Sequence, residues 1–205
     1  AALFGCAVTT GFGVIENDAQ VKIGEGVVIY GAGGVGLNMI QAAHMRSAYP
    51  IIAVDLFENR LKLAKKLGAS HTINSNLENP EKALRKILEN RMLDVFIDNT
   101  GITKIIQLGY NLVHSHGKVI LVGVPRIGND ISIHSLPLHL GKTITGTHGG
   151  GSLPSKDIPR YLEAYKLGKL DLDVLIGERF TLENINNAIL SMQSGETAGR
   201  IIIKL

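Results

Sequence analysis

A doubly wound α/β fold, with a six-stranded parallel sheet and helices on both faces, is the class this sequence predicts. Three observations carry it. Short β-branched apolar runs alternate with helical patterns along most of the 205 residues, as repeated βα units do. The runs show little polar alternation, which marks strands buried on both faces. Glycines spaced G-x-G-x-x-G sit between the first run and the helix after it, where a phosphate-cradling turn belongs.

The six runs are VVIYG (27–31), PIIAVD (50–55), HTIN (71–74), DVFIDNT (94–100), GKVILVG (117–123) and TITGTH (143–148). Between them the pattern predicts helices over 35–47, 57–68, 79–90 and 102–113. Gly68 stops the second of these, because glycine accepts the left-handed backbone that ends a helix. Asn79 caps the third, with Pro80 at its first position, where no N–H is needed. After Gly149-Gly150-Gly151 the alternation ends. Ser155 would cap a helix over 156–168, Thr181 a helix over 182–195, and 200–205 would be a last strand. That tail of roughly 55 residues is too small for its own core, so it packs on the α/β unit or on something outside the chain.

Composition narrows the function. Hydrophobic residues at 45% against 19% charged exclude disorder. The net charge of +3, from 21 basic and 18 acidic residues, is scattered and gives no nucleic-acid footprint. No apolar run reaches membrane-spanning length, and no signal peptide is visible. One cysteine excludes an internal disulfide or a metal site of several Cys ligands, and fits a reducing compartment. The chain opens without Met on AALFGCAVTTGFGVI and reads as cut from a longer protein.

The glycine loop carries the chemistry. Gly31 permits the tight turn, Gly33 lets the backbone approach a pyrophosphate, and Gly36 lets the helix pack close to the strand. The free N–H groups at the helix start, around Gly34 and Val35, would face the phosphates. The alternative is a glycine-rich turn without a ligand. Asp55 ends the second strand, 19 residues beyond Gly36. An acid there accepts hydrogen bonds from the adenosine ribose and repels a 2′-phosphate, which favours NAD over NADP. Its alternative is a turn-capping Asp. Arg60 could accommodate a 2′-phosphate, but beside Asp55 it reads as lying next to the adenosine.

Cys6, in GCAVTTGFG, reads in isolation as a small buried hydrophobe. The order of motifs says more. On GCAVTTGFG, VVIYGAGGVGLNMIQ, IIAVDLFENRLKLAKKLGASHTIN, FIDNTG, VILVGVP and GETAGRIIIKL, the chain resembles the C-terminal, coenzyme-domain portion of the zinc-dependent alcohol dehydrogenases, within the medium-chain dehydrogenase/reductase superfamily. The resemblance implies a Rossmann sheet over 13–149. It also implies that 1–12 and 150–205 belong to a catalytic domain mostly outside this chain. Cys6 matches a catalytic-zinc ligand whose partners lie in the missing part. Thr10 matches the threonine packed against the nicotinamide. Thr100 and Gly101 match contacts to a coenzyme ribose. Val122, Gly123 and Val124 match the backbone that holds the carboxamide, and Thr147 and His148 match backbone that reaches the same amide. Arg200 matches a basic residue near the pyrophosphate, although GETAGR is one residue longer than in the animal enzymes.

The implied activity is NAD-linked oxidation of an alcohol or polyol, or the reverse. Zinc would act as a Lewis acid so that an alkoxide forms near neutral pH and passes hydride to the nicotinamide. The substrate would be a small alcohol or carbonyl, and the chain alone would not turn over. A cytoplasmic homodimer or homotetramer joined through coenzyme domains is implied, with His134 and His139 in the contact region. His114-Ser115-His116 reads as a solvated loop, and His44 and His71 as structural. No spacing supports a Ser/His/Asp or Cys/His triad. A zinc-independent NAD(P)H-linked reductase of the same superfamily and a non-catalytic dinucleotide-binding module are the competing readings.

Overall fold

The computed structural model describes residues 2–195 and 197–204. The strands β1 (Val27–Tyr30), β2 (Ile51–Asp55), β3 (His71–Asn74), β4 (Leu93–Asp98), β5 (Val113–Leu121) and β6 (Thr143–Gly146) form one sheet, ordered β3-β2-β1-β4-β5-β6. All pairings are parallel. β1 is central, with Val27 opposite both Ile51 and Val95. The helices α2 (Gly34–Met45), α3 (Glu58–Lys66), α4 (Pro80–Leu88) and α5 (Thr103–Leu112) link successive strands.

Strand alternation divides the core. Val27 and Ile29 join one apolar cluster with Leu37, Ile40, Ile51 and Ala53. Val28 and Tyr30 join another with Ile52, Val54, Leu84 and Phe96. Side chains at i and i+2 share a face, so each strand feeds both layers. Gly68 takes φ +111° just after α3, as a helix stop requires. Asn79 Oδ1 accepts the Lys82 N–H at 3.0 Å, capping α4 above Pro80.

Several elements differ from expectation. Residues 7–13 form a helix, α1 (Ala7–Gly13), that runs on into a wider turn over Val14–Asp18. Two glycines argue against a helix on propensity. Packing decides otherwise, since a Cβ on Gly11 would stand 2.5 Å from the Asn38 Cβ of α2. His114 and His116 lie within β5, not in a loop before it. The register jumps from Leu93↔Val113 to Val95↔Lys118, so the extra residues bulge outward. The His114 ring nitrogen meets Asp94 Oδ1 at 3.2 Å, while Asp94 Oδ2 accepts the Gly26 N–H at 2.8 Å.

The tail also differs in detail. After the short helix α6 (Leu136–His139) and β6, α7 begins at Pro154 and runs to Lys166. Ser155 lies inside it; Asp157 Oδ2 instead accepts the N–H of the capping residue Leu153 at 2.7 Å. A 3-10 turn (Leu182–Asn184) precedes α8 (Ile185–Ser194). The Thr181 hydroxyl accepts from Asn184 Nδ2 at 3.1 Å and does not cap α8. The last strand, β8 (Arg200–Lys204), pairs in parallel with β7 (Ile176–Thr181) as a separate sheet. The charged IGERFT run of β7 escapes a search for apolar strands. Leu205, the end of the expected last strand, lies outside the described residues. Among the described residues no helix is long and apolar enough to cross a membrane.

Candidate functional site

The site grows from the C-terminal ends of β1, β2 and β4. Beyond Tyr30 the chain turns through Gly31, at φ +102°, and enters α2 with Gly33 as the capping residue. The two remaining glycines of the loop do different work. A Cβ on Gly36 would stand 2.0 Å from the Gly31 carbonyl oxygen, whereas a Cβ on Gly33 would meet nothing within 4 Å. Gly36 therefore lets α2 sit tightly on the loop, and Gly33 leaves open space above it. The first N–H groups of α2 have no partner within the helix, so they and the helix dipole favour an anion in that space.

Asp55 closes β2 and is only 6% exposed. Its Oδ2 accepts the Ala32 N–H at 2.7 Å and its Oδ1 accepts the Phe57 N–H at 3.0 Å. The carboxylate thus ties the glycine loop to the start of α3. Arg60 Nη1 lies 3.7 Å from Asp55 Oδ1, and its guanidinium stacks 4.5 Å from the Phe57 ring centroid. Beside these groups opens a cavity of about 320 Å³ with Tyr30, Gly31, Gly33, Val54, Asp55, Leu56, Arg60, Ser75, Asn99, Thr100, Ile102 and Ile105 in its walls. Burial raises the Tyr30 hydroxyl pKa; a Ser75 hydrogen bond opposes this, and the charges of Asp55 and Asp98 add to it. The walls are mostly apolar with one acid at the edge, which suits a flat base and its ribose.

The other expected residues fall into three places. Thr100 lines the cavity. Gly101 and Gly123 touch, since a Cβ on Gly123 would stand 2.2 Å from the Gly101 nitrogen. Val122 is half-buried and Val124 is exposed beyond it. Arg200 crosses from β8 to the glycine loop, where a Cβ on Gly34 would stand 2.3 Å from its Nε. The extra residue in GETAGR therefore does not keep Arg200 away from the start of α2. Val35 is half-buried in the first turn of that helix.

Cys6, Thr10, Thr147 and His148 do not line that cavity. The Thr147 hydroxyl bonds Asp18 and accepts the Gly150 N–H at 3.0 Å, and its own N–H donates to the Leu121 carbonyl at 3.1 Å. His148 is exposed, Thr10 is half-buried in α1, and Cys6 is an exposed thiol at the cap of α1. Among the described residues no three His, Cys, Asp or Glu side chains cluster as a metal site. Sequence reasoning missed Tyr30, Val54, Leu56, Ser75, Asn99, Ile102 and Ile105 in the walls. All but Ile105, in the first turn of α5, share one signal, a position at, next to or soon after a strand C-terminus.

A family profile described as zinc-binding dehydrogenase matches residues 34–166. The chain belongs to that family. S-(hydroxymethyl)glutathione dehydrogenase of Paracoccus denitrificans is 32% identical over 97% of this chain and 55% of its own length. Alcohol dehydrogenase 1 of Trifolium repens is 32% identical over 99% of this chain and 54% of its own. The crystal structure of benzyl alcohol dehydrogenase from Acinetobacter calcoaceticus superposes with a TM-score of 0.91 at 35% identity, covering 98% of this chain and 55% of that one. The chain thus spans about half the length of the relatives it matches.

Proposed function

We propose that this chain is the coenzyme-binding part of an NAD-linked, zinc-dependent alcohol or polyol dehydrogenase. The observation that carries the reading is Asp55, a buried carboxylate at the rim of the cavity beside the glycine loop. The residues present fit a dinucleotide. The cavity would take the adenosine, with Asp55 accepting from the ribose hydroxyls. The open space over Gly33 and the start of α2 would take the diphosphate, with Arg200 supplying a cation. Gly31 and Gly36 shape the loop, and the N–H groups near Gly34 and Val35 point to the anion. Thr100, in the cavity wall, and Gly101 beside it would border a coenzyme ribose. Val122, Gly123, Val124, Thr147 and His148 would orient the carboxamide through backbone groups, with Thr10 against the ring.

The bound nicotinamide supplies hydride transfer with the alcohol carbon, and this chain supplies orientation. Zinc fits these residues less completely. A tetrahedral site needs three protein ligands, and Cys6 is a single donor, so it would be one ligand of a site completed by residues outside this chain. The relatives' names support a small alcohol or carbonyl substrate. A coenzyme domain over 13–149, flanked by catalytic-domain segments 1–12 and 150–205, belongs to the same proposal. So do a cytoplasmic location and a homodimer or homotetramer. The free edge of β6 and exposed Leu136, Leu138 and Leu140, beside exposed His134 and His139, favour assembly through that edge.

Calorimetry with NADH and NADPH tests the coenzyme. NADH is expected to bind at least about tenfold more tightly, and equal dissociation constants overturn the reading. Arg60 in the cavity wall is what favours the competing NADPH-linked, zinc-independent reductase. Alcohol oxidation that survives complete zinc removal would select that competitor.

A further inference from the structure

We infer that Asp98 is a positioning residue for the half of the coenzyme that lies beyond the diphosphate, an assignment that rests on the dinucleotide reading above. Asp98 ends β4 and is fully buried. Among the described residues no Lys, Arg or His forms an ion pair with it. A buried carboxylate without a counter-charge persists only if hydrogen bonds hold it. Three donors do so. Oδ1 accepts from the Thr100 N–H at 3.0 Å and the Thr100 hydroxyl at 2.6 Å, and Oδ2 accepts from the Gly101 N–H at 2.9 Å.

The main chain of the same residue reaches the next strand. The Asp98 carbonyl accepts the N–H groups of Val122 and Gly123 at 2.8 and 3.0 Å. One residue therefore holds both the turn after β4 and the exit from β5. The two segments are in contact, for a Cβ on Gly123 would stand 2.2 Å from the Gly101 nitrogen and 2.5 Å from that of Thr100. Asn99 reaches the opposite way, donating from Nδ2 to the Gly31 carbonyl at 3.2 Å. The Asp98-Asn99 pair thus spans the point between β1 and β4 where the winding reverses.

That location gives the pair its role. In a doubly wound sheet a dinucleotide lies across the crevice at the reversal, one half on each side. The cavity beside Asp55 opens over the ends of β2 and β1 and is closed by Asn99, Thr100, Ile102 and Ile105 after β4; Asp98 reaches it through Thr100, whereas Asp55 is fixed by Ala32 and Phe57, independently of Asp98. The second half must rest on the ends of β4 and β5, which Asp98 holds at a set spacing. Polarity matters as well as shape. An Asn at this position keeps one acceptor but turns an NH2 group toward an N–H or O–H donor, so the turn must move. Reacting groups tolerate such displacement poorly.

Asp98→Asn and Thr100→Val are compared with the unaltered protein by calorimetry with NADH and with ADP, which lacks the second nucleoside. Bound-NADH fluorescence and thermal midpoint are read alongside. Asp98→Asn is expected to weaken NADH about tenfold and ADP less, by about threefold through Thr100 in the cavity wall, with altered nicotinamide emission. Thr100→Val removes one donor at nearly constant volume and gives a smaller shift of the same kind, which keeps the inference testable if Asp98→Asn does not fold. Equal loss for both ligands, or unchanged NADH binding in both variants, overturns it. Failure of the unaltered protein to bind ADP or NADH would instead sink the dinucleotide reading.

Discussion

The glycine loop separates a packing glycine, Gly36, from Gly33, which we propose faces the diphosphate, and alanine at each should fail in opposite ways. At Gly36 the new Cβ would lie 2.0 Å from the Gly31 oxygen, where ordinary contact begins at 3.4 Å. Relief needs a retreat of about 1.4 Å by α2 or the loop, and overpacking of this kind costs about 1–3 kcal/mol. For a chain of this size that lowers the thermal midpoint by about 2–12 °C. At Gly33 the backbone is ordinary, at φ −72°, and the new Cβ meets nothing within 4 Å. The unfolded-state entropy gain of about 0.4–1 kcal/mol offsets the weaker helix cap of alanine, so stability should change by less than about 1 kcal/mol.

Binding reverses the order of interest. A methyl group on Gly33 fills the space over the first N–H groups of α2 and removes one or more charge-assisted hydrogen bonds to diphosphate. At about 1.5–3 kcal/mol each, NADH should bind about ten- to a hundredfold more weakly. Scanning fluorimetry and calorimetry on both variants decide the matter. A Gly33→Ala protein that binds NADH like the unaltered one refutes the diphosphate path, and a Gly36→Ala protein with an unchanged midpoint refutes the packing argument.

Other substitutions probe other links. Asp55→Asn turns an NH2 group toward either Ala32 or Phe57, so it should cost about 1–3 kcal/mol in urea unfolding as well as NADH affinity; loss of neither removes Asp55 from both roles. Gly195→Ala combines a left-handed backbone at φ +75° with a Cβ 2.2 Å from the Phe57 ring, and should destabilise by about 1–3 kcal/mol in the same assay. Burial, and then the charges of Glu16 and Asp157, push the Tyr161 hydroxyl up to about 12 from 10.0. The unfolded chain ionises first, so this contribution is whole below pH 10 and is lost as pH rises toward 12. Tyr161→Phe should spare on the order of 1 kcal/mol of that loss near pH 11, with no such gain near pH 8.

The sheet was legible because its strands are buried on both faces, so VVIY and IIAVD read as continuous apolar runs. The loop was legible because Gly31 and Gly36 answer backbone demands that few other residues meet. What escaped depends on contacts distant in sequence. Residues 7–13 are helical because Gly11 lets α1 settle against Asn38. β7 is a strand because β8 pairs with it, despite Glu178 and Arg179 in its middle. Asp98 drew no attention because a strand-ending acid is common, and only its burial and its donors set it apart.

The proposed boundaries at 12/13 and 149/150 fall inside α1 and inside the 3-10 turn Gly149–Gly151, and packing crosses them as well. One face of the sheet shares its apolar cluster with Phe4, Val8 and Phe12 before it, and with Tyr161, Leu170, Leu172 and Leu175 after it. Ser152 donates to the Thr9 carbonyl at 2.7 Å, which joins the two flanks, and Asn17 to that of Gly150 at 2.8 Å, which ties the second flank to the unit between them. Each fully buried side chain of this kind is worth about 1.5–3 kcal/mol. Losing seven of them removes as much as a whole domain's net stability of about 5–15 kcal/mol. A fragment of residues 13–149 should therefore lack a cooperative thermal transition by circular dichroism, while residues 2–204 show one. A fragment that melts cooperatively within about 5 °C of the longer chain would mean that the coenzyme unit is self-sufficient and that the flanks are carried by it.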